Sequence, residues 1–291
     1  MVDTDDVQDY AGKFRTQRRL LEEADIDERD RKEIRLFIAD QRADPDIELG
    51  TIVGHLNRLR LTAERAHAPL VELELSDVKL FLTEILQDEL ERSEGTVRNY
   101  RKSMRAFFTY LGREWADEIK VGSPIKRTVD PDDCLSDDEI GAILDVAQNP
   151  RDKALIAVLS DTGVRIGAVL SFQMRHVDLE GPRATLTINP KAYVKDDDGP
   201  KPLTWSRGYV ANWIDVHPRP DDPDAALFHK LKQWDESEEG ALREGYAGTL
   251  IKKLAKRAGL DEKRVKSRLF RSSAATGWIR EGMSEQAIKH R

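Results

Sequence analysis

The sequence predicts a mainly α-helical protein of the α+β class, with two domains and one small antiparallel β-hairpin. Three observations predict this class. The first half of the 291 residues spaces its apolar residues as helices do, and the second half mixes such spacing with one alternating β-branched stretch. A polar stretch rich in turn-forming residues separates the halves. A chain of this length can build two domains with separate cores.

The domain boundaries follow changes in composition. We predict an acidic tail over 1–14, a helical domain over 15–119, a linker over 120–134 and a mixed domain over 135–291. The linker, KVGSPIKRTVDPDDC, is rich in turn formers and has no apolar periodicity. Such a segment is typical of the connection between two domains.

Four helices with short connections are predicted in the first domain, which suits a small bundle. Apolar residues share a helix face over 34–38 and again over 52–63. Ser76 is expected to cap the third helix, with Asp77 favourably placed against the helix dipole. The fourth helix, over about 95–111, is expected to bury an apolar face that includes two phenylalanines.

A basic stripe lies opposite that apolar face of the fourth helix. A charge run is ordinarily a solvated helix face. This run has no acids between its members, although the protein is acidic, and we therefore favour contact with phosphate groups. The stripe consists of Arg98, Arg101, Lys102 and Arg105.

The second domain begins with a helix and contains the hairpin. Ser136 and Glu139 form a capping box before an apolar helical run. A later apolar helix ends in TGVRI, where Gly163 permits a sharp turn. Residues 184–188 alternate as a strand does, and 201–205 are predicted to be the returning strand after a polar turn.

Two basic elements flank this hairpin in the sequence. Arg165 follows the Gly163 turn directly, which places its guanidinium at a defined point rather than at random on the surface. Arg271 begins the segment RSSAATGWI, a basic entry into an apolar helix. The hairpin between them contains Lys191, Lys195 and Lys201.

The order of these elements resembles the tyrosine-type DNA recombinases of the phage integrase family. The elements are the helical domain, the linker, LSDDEI, TGVRIG, the lysine hairpin and RSSAAT. The resemblance extends from about residue 15 to the last residue. It implies a SAM-like core-binding domain and a catalytic domain that form a C-shaped clamp on duplex DNA. It also implies homo-oligomers on DNA, tetramers in relatives, or association with intact recombinase subunits, and a reaction without a cofactor.

The resemblance also assigns catalytic roles. In this family a tyrosine attacks a phosphodiester and forms a 3′-phosphotyrosine, which preserves the bond energy without ATP. Arg165 and Arg271 would stabilise the charge on the non-bridging oxygens. Lys195 is the first choice for the general acid toward the leaving 5′ oxygen, with Lys191 and Lys201 as alternatives.

Three positions and the C-terminal end depart from the family pattern. Arg268 stands where relatives usually have a histidine, Ser272 where a second histidine often follows, and Ala168 where an acid is common. The sequence ends before the Gly-His or Gly-Trp element and the tyrosine that follow in relatives. Tyr246, its last tyrosine, is interpreted as a packing residue, so we expect the chain as given to lack its nucleophile.

A second basic region precedes Arg271. Residues 252–271 hold nine Lys and Arg residues against Asp261 and Glu262. This local inversion of charge favours DNA contact, although a solvated basic helix is the alternative. The residues assigned to DNA here are Lys253, Lys256 and Arg257.

The overall charge needs a separate explanation, because a net charge of −7 and a pI near 5.5 argue against a nucleic-acid protein. Much of the acidity lies in Asp-rich patches over 130–133, 196–198 and 221–224, which we interpret as exposed turns. Abundant Asp with few Lys suggests a cytoplasm at molar salt. An ordinary acidic protein is the alternative.

Several function classes are disfavoured. No apolar run approaches a membrane span, and the N-terminus does not resemble a signal peptide. The single Cys134 can form neither an internal disulfide nor a zinc site by itself. The histidines show no metal-ligand spacing, and there is no P-loop or dinucleotide fingerprint. We therefore expect a cytoplasmic, nucleoid-associated protein with no metal or cofactor.

Two main functions follow from the sequence. The first is a site-specific recombinase or integrase. The second is a catalytically inactive recombinase remnant that binds DNA as a site occupant or regulator. A helical protein-interaction module is a weaker third interpretation.

Overall fold

The chain forms two compact units, each with its own hydrophobic core. Residues 10–127 belong to the N-terminal unit, and residues 1–9 with 128–291 belong to the C-terminal unit. The predicted fold class, mainly α with a small antiparallel sheet, is confirmed. The computed structural model describes residues 4–124, 130–180, 183–192, 199–231 and 240–289.

Five α-helices are described in the N-terminal unit, one more than the sequence analysis predicted. The additional helix is α1, which is rich in charged residues and buries only Phe14 and Leu21. Its apolar pattern is too sparse to be recognised. The helices are α1 (Tyr10–Glu23), α2 (Glu28–Ala43), α3 (Leu49–Ala63), α4 (Leu75–Leu80), which continues as a π-helix over Phe81–Glu89, and α5 (Glu94–Tyr110).

The predicted apolar faces form the core of this unit. Phe37 of α2 and Phe107 of α5 are completely buried and meet edge to face, with 5.5 Å between ring centroids. Leu56 of α3 and Val97 of α5 are equally buried. Packing of these faces, rather than helix propensity, supplies most of the stability of such helices.

The prediction that Ser76 caps the third helix is wrong. α4 begins one residue earlier, at Leu75, and Glu74 is its N-cap. The carboxylate of Asp77 accepts a 2.8 Å hydrogen bond from the backbone N–H of Glu74, which closes a capping box. The carboxylate reaches back to the cap, so the hydroxyl of Ser76 is not needed there.

The prediction of an acidic tail over 1–14 is also wrong for the described residues. Thr4 and Val7 are buried in the C-terminal unit, and α1 already begins at Tyr10. Polar groups of that unit satisfy the acids: Asn189 donates to Asp5 over 3.0 Å, and Arg243 pairs with Asp9 at 2.6 Å. The buried side chain of Val7 holds this segment against the core of the C-terminal unit, although most residues of the segment are polar or acidic.

Seven α-helices are described in the C-terminal unit, and α7 is its central helix. Every residue of α7 from Ala154 to Thr162 is buried, so the other elements pack around it. None of the helices in the described ranges is long and apolar enough to cross a membrane. The helices are α6 (Asp137–Val146), α7 (Pro150–Thr162), α8 (Ile166–Ser171), α9 (Arg207–Ile214), α10 (Glu244–Arg257), α11 (Ser267–Arg280) and α12 (Glu285–Lys289).

A three-stranded antiparallel sheet lies between α8 and α9. Its strands are β1 (Val177–Asp178), β2 (Thr185–Thr187) and β3 (Pro200–Pro202), in the order β1-β2-β3. The predicted strand and returning strand are therefore present but shorter. Leu186 on β2 stands opposite Lys201 on β3, and both side chains are buried.

Candidate nucleic-acid interface

Arg165 and Arg271 are brought to the same turn. α7 ends at Gly163, whose backbone is left-handed with φ of 59°, and the chain reaches Arg165 two residues later. From the start of α11, Nη1 of Arg271 donates a 2.8 Å hydrogen bond to the carbonyl oxygen of Gly163. The guanidinium of Arg271 is therefore held at the turn that leads to Arg165.

Gly163 is required at this turn for two independent reasons. A positive φ is unfavourable for any residue with a Cβ. An added Cβ would also lie 3.0 Å from the ring of Trp278 and 3.3 Å from the Cβ of Ala274, both on α11. The turn thus fits closely against α11, which fixes the distance between the two arginine-bearing segments.

The backbone around Arg165 is held by its neighbours. Val164 and Ile166 are buried, whereas Arg165 itself is exposed at the N-cap of α8. All six residues of α8 are buried. The core therefore fixes the position of the Cα of Arg165 and leaves its guanidinium on the surface, as an anion-binding residue requires.

The hairpin lysines are placed differently. Lys195, the first choice for the general acid, lies outside the described residues. Lys191 is exposed just after β2, and its backbone N–H donates to Asn189 over 3.1 Å. Lys201 is only 5% exposed. No ion pair or hydrogen bond of its ammonium group is found within the described part of the chain.

A buried carboxylate connects the hairpin to the arginine turn. Asp161, just before the end of α7, accepts hydrogen bonds from the backbone N–H of Thr204 at 2.7 Å and of Ser206 at 3.1 Å. The hydroxyl of Ser206 donates to the same carboxylate over 2.6 Å. The segment after β3 is thereby fixed beside the Gly163 turn, so hairpin and arginines share one rigid support.

The three departures from the family pattern have distinct surroundings. Arg268 is exposed on α11, one turn before Arg271. Ser272 is half-buried. Ala168 is completely buried in α8, in the apolar core. A carboxylate at that place would lose its hydration, so alanine suits the packing.

Part of the predicted basic region has a structural role. Arg264 pairs with Glu139 at 2.6 Å and donates to the carbonyl oxygen of Cys134 over 3.1 Å. This contact lowers the pKa of Glu139. Ser273 of α11 accepts a 2.8 Å hydrogen bond from the N–H of Leu135. Both contacts attach the start of α6 to the segment that positions Arg271.

The basic residues assigned to DNA on α10 are exposed. Lys253, Lys256 and Arg257 follow one another at helical spacing along its outer face. Lys256 has an acidic neighbour, Glu262, at 4.0 Å, which is the limit of an ion pair. Because surface pairs of this kind are weak, the positive charge remains available to an anion.

The basic stripe on α5 is more neutralised than its sequence indicates. Arg101 pairs with Glu94, and Arg105 pairs with Asp117 at 2.6 Å. The Nε of Arg98 donates to a backbone carbonyl, that of Gly122, over 3.3 Å. No acid lies between the members of the stripe in the sequence, but folding brings Glu94 and Asp117 from outside the run beside it. Lys102 is exposed.

The adjacent helix α3 is predicted from its apolar face, but its basic residues were not singled out. Residues 49–63 contain Arg58 and Arg60 and no acidic residue, which is a signal that could have been used. Within the described residues, no group of three or more His, Cys, Asp or Glu side chains is placed to hold a metal ion.

Comparison with known proteins places this site in context. The model of the phage integrase family matches residues 133–291, which includes the whole arginine turn, the hairpin and α11. The XerH site-specific recombinase bound to its difH substrate is similar with a TM-score of 0.61 and 16% identity, over 99% of this chain and 89% of the other.

Two further solved structures share the fold. A lambda integrase (75-356) dimer bound to a COC' core site has a TM-score of 0.63 and 13% identity, over 89% of this chain and 92% of the other. The Tn1549 transposon integrase in complex with transposon right end DNA has a TM-score of 0.60 and 19% identity, over 88% and 89%. All three are structures of protein with DNA.

Proposed function

Because this chain belongs to the phage integrase family, we propose that it binds duplex DNA at a specific site and acts in site-specific recombination. The observation that carries the proposal is the hydrogen bond from Arg271 to Gly163, which brings a second guanidinium to the turn of Arg165. Two guanidiniums at one place suit a phosphodiester, whose oxygens accept paired N–H donors. Solved relatives bound to DNA support the same partner.

In the proposed chemistry, a tyrosine hydroxyl attacks the scissile phosphorus and the bond from phosphorus to the 5′ oxygen breaks. The attacking oxygen loses its proton to water, and a lysine gives a proton to the leaving 5′ oxygen. Arg165 and Arg271 stabilise the negative charge on the non-bridging oxygens. Lys195 remains the proposed acid, with Lys191 and Lys201 as alternatives.

The second candidate function is DNA binding without cleavage. Arg268 and Ser272 occupy the usual histidine positions, and an arginine cannot exchange protons near neutral pH. The ring of Tyr246 is more than half exposed, and its contact with the buried Arg151, with 5.9 Å from Cζ of the arginine to the ring centroid, supports a packing role for one face of the ring only. We propose that none of the tyrosines in residues 1–291 is a nucleophile, so these residues alone occupy a DNA site without cutting it.

One experiment separates the two functions. Duplexes that bind are first selected from a pool with 20 randomised base pairs, and a nicked suicide substrate is then built on the selected site. Non-covalent binding without a covalent adduct on a denaturing gel supports the second function. An adduct supports the first. Failure to retain any duplex would overturn both.

We also propose that the protein works in a cytoplasm of high salt concentration. Asp132 and Asp133 are exposed in the turn before α6, and Asp224 is exposed in the turn before the buried segment at Leu227. Like charges so close together repel one another in dilute buffer and much less at molar salt. Arg165 and Arg271, which lie at one turn, keep a local basic surface in spite of the net negative charge.

A further inference from the structure

Helix α3 carries a guanidinium that the fold holds in place without neutralising it. The side chain of Arg58 is half-buried, and its Nε donates a 2.7 Å hydrogen bond to Oγ of Ser103 on α5. No carboxylate is found within ion-pair distance of Arg58 in the described part of the chain. Burial lowers the pKa of Arg58, which means that the charge loses hydration without a compensating acid.

A buried network fixes the direction of this side chain. Ser103 has no exposed surface, and its single hydroxyl hydrogen is donated to the carbonyl oxygen of Asn99 over 3.1 Å. Its oxygen therefore accepts from Arg58 and from Nδ1 of His55, which lies 3.0 Å away. Serine and histidine together hold the Nε edge and leave the two Nη groups for another ligand.

A glycine makes room for the guanidinium. A Cβ added to Gly54, one turn before Arg58 on α3, would lie 2.5 Å from Nη2 of Arg58. Glycine is unfavourable inside a helix by comparison with alanine. The space it leaves is occupied by the charged end of Arg58, which is the arrangement expected if the position of that group matters.

The surroundings carry more positive than negative charge, although Glu64 pairs with Arg60 and Arg65. Arg58 and Lys102 both act on His55 and lower its pKa, together with burial, which is the largest cause. The hydroxyl of Tyr100, on the same helix as Ser103, lies within the electrostatic influence of Arg92, Arg65, Arg58 and Arg60. An anion or an electronegative edge would be attracted to this junction of α3 and α5.

We propose that Arg58 is a DNA-contacting residue, positioned by Ser103 and Gly54, whose two Nη groups bind a pair of acceptor atoms. This proposal rests on the proposed binding of duplex DNA. A phosphodiester and the edge of a guanine both present two acceptors at the required spacing. Either ligand would accept two hydrogen bonds from Arg58, and the experiment below distinguishes a phosphate contact from a guanine contact.

The test uses the whole chain and three variants: Arg58→Gln, Gly54→Ala and, as a control, Arg35→Gln. Arg35 lies in the same unit, is exposed and is already paired with Glu22, so its replacement removes the same charge. Affinity for a labelled pool of duplexes with 20 randomised base pairs is measured over a series of KCl concentrations, and the bound sequences are then determined.

We expect Arg58→Gln to weaken binding about tenfold and the control to bind as the wild type does. Loss of a guanine preference at one position identifies a base contact. A fall of about one in the slope of log affinity against log salt, with unchanged preferences, identifies a phosphate contact. Either result supports the proposal.

Gly54→Ala separates positioning from folding. Alanine favours the helix, so the melting temperature should stay the same or rise, while displacement of the guanidinium weakens DNA binding. Unchanged affinity, salt slope and sequence preference in Arg58→Gln would overturn the proposal while leaving DNA binding by the wild type intact. If the wild type itself retains no duplex, the proposed function fails first.

Discussion

Arg271 donates a hydrogen bond of 2.8 Å from Nη1 to the carbonyl oxygen of Gly163, a residue 108 positions earlier in the chain. The same glycine allows the turn that presents Arg165. Two cationic groups that are distant in sequence thus depend on one backbone geometry. Changes that move the Gly163 turn should therefore affect both arginines together.

Gly163→Ala should destabilise the C-terminal unit more than an ordinary substitution of a left-handed glycine does. The positive φ costs about 1 kcal/mol, and the contact with Trp278 should bring the total loss in the free energy of unfolding to about 2–3 kcal/mol. The matched control is Gly259→Ala, which has φ of 77° and no atom near the added Cβ. Denaturant unfolding with equal losses in the two variants would show that the turn does not pack closely against α11.

Asp161→Asn should disturb the support of the hairpin. Asp161 is buried and accepts hydrogen bonds from two backbone N–H groups and from the hydroxyl of Ser206. In the asparagine variant, the side-chain NH2 group would point its hydrogens at one or more of these donors. We expect a loss of about 2–3 kcal/mol in the free energy of unfolding. Asp145→Asn, an exposed change on α6, should cost about 0.5 kcal/mol or less. Similar melting temperatures for the two variants would contradict this role.

His55 should remain neutral well below its ordinary titration range. Burial, with Arg58 and Lys102 nearby, lowers its pKa to about 4, from 6.5. The unfolded chain then takes up a proton at His55 between pH 6.5 and 4 while the folded chain does not, so this residue reduces stability as pH falls through that window. Nuclear magnetic resonance of the ring protons should give a pKa near 4. A value at or above 6.5 would refute the buried network with Ser103.

Stability should rise with salt concentration. Between 0.1 M and 1 M salt the Debye length falls from about 10 Å to about 3 Å, which reduces repulsion among the exposed aspartates. We expect the melting temperature to increase from 0.1 M to 3 M KCl. The variant in which Asp132 and Asp133 are both replaced by Asn should show a smaller increase. A maximum in dilute buffer would contradict adaptation to high salt.

Patterns confined to neighbouring residues predicted the local structure well. Ser136 and Glu139 form the capping box that their spacing indicates, and Gly163 ends α7 in the left-handed conformation. The β-branched run at 185–187 is a strand. In the capping box and at the end of α7 the deciding interactions span four residues or fewer, and the strand shows its alternating pattern within the run itself, so the sequence displays all three.

Contacts between distant residues could not be predicted in this way. Asp161 binds residues 43 and 45 positions later, and Arg264 pairs with Glu139, 125 positions earlier. The spacing of apolar residues along the sequence carries no information about such distant partners. For the same reason, the acids that pair with Arg101 and Arg105 were overlooked, and Val7 was assigned to a tail although it is part of a core.

The central claim is that Arg165 and Arg271 bind one phosphodiester of a duplex. Its most direct test is a scan of the selected DNA site in which each phosphate in turn is replaced by a neutral methylphosphonate. Neutralising one particular phosphate should weaken binding of the wild type but should have little further effect on a variant with Arg165→Gln and Arg271→Gln. An equal loss at that phosphate in both proteins, or no sensitive phosphate at all, would contradict the claim.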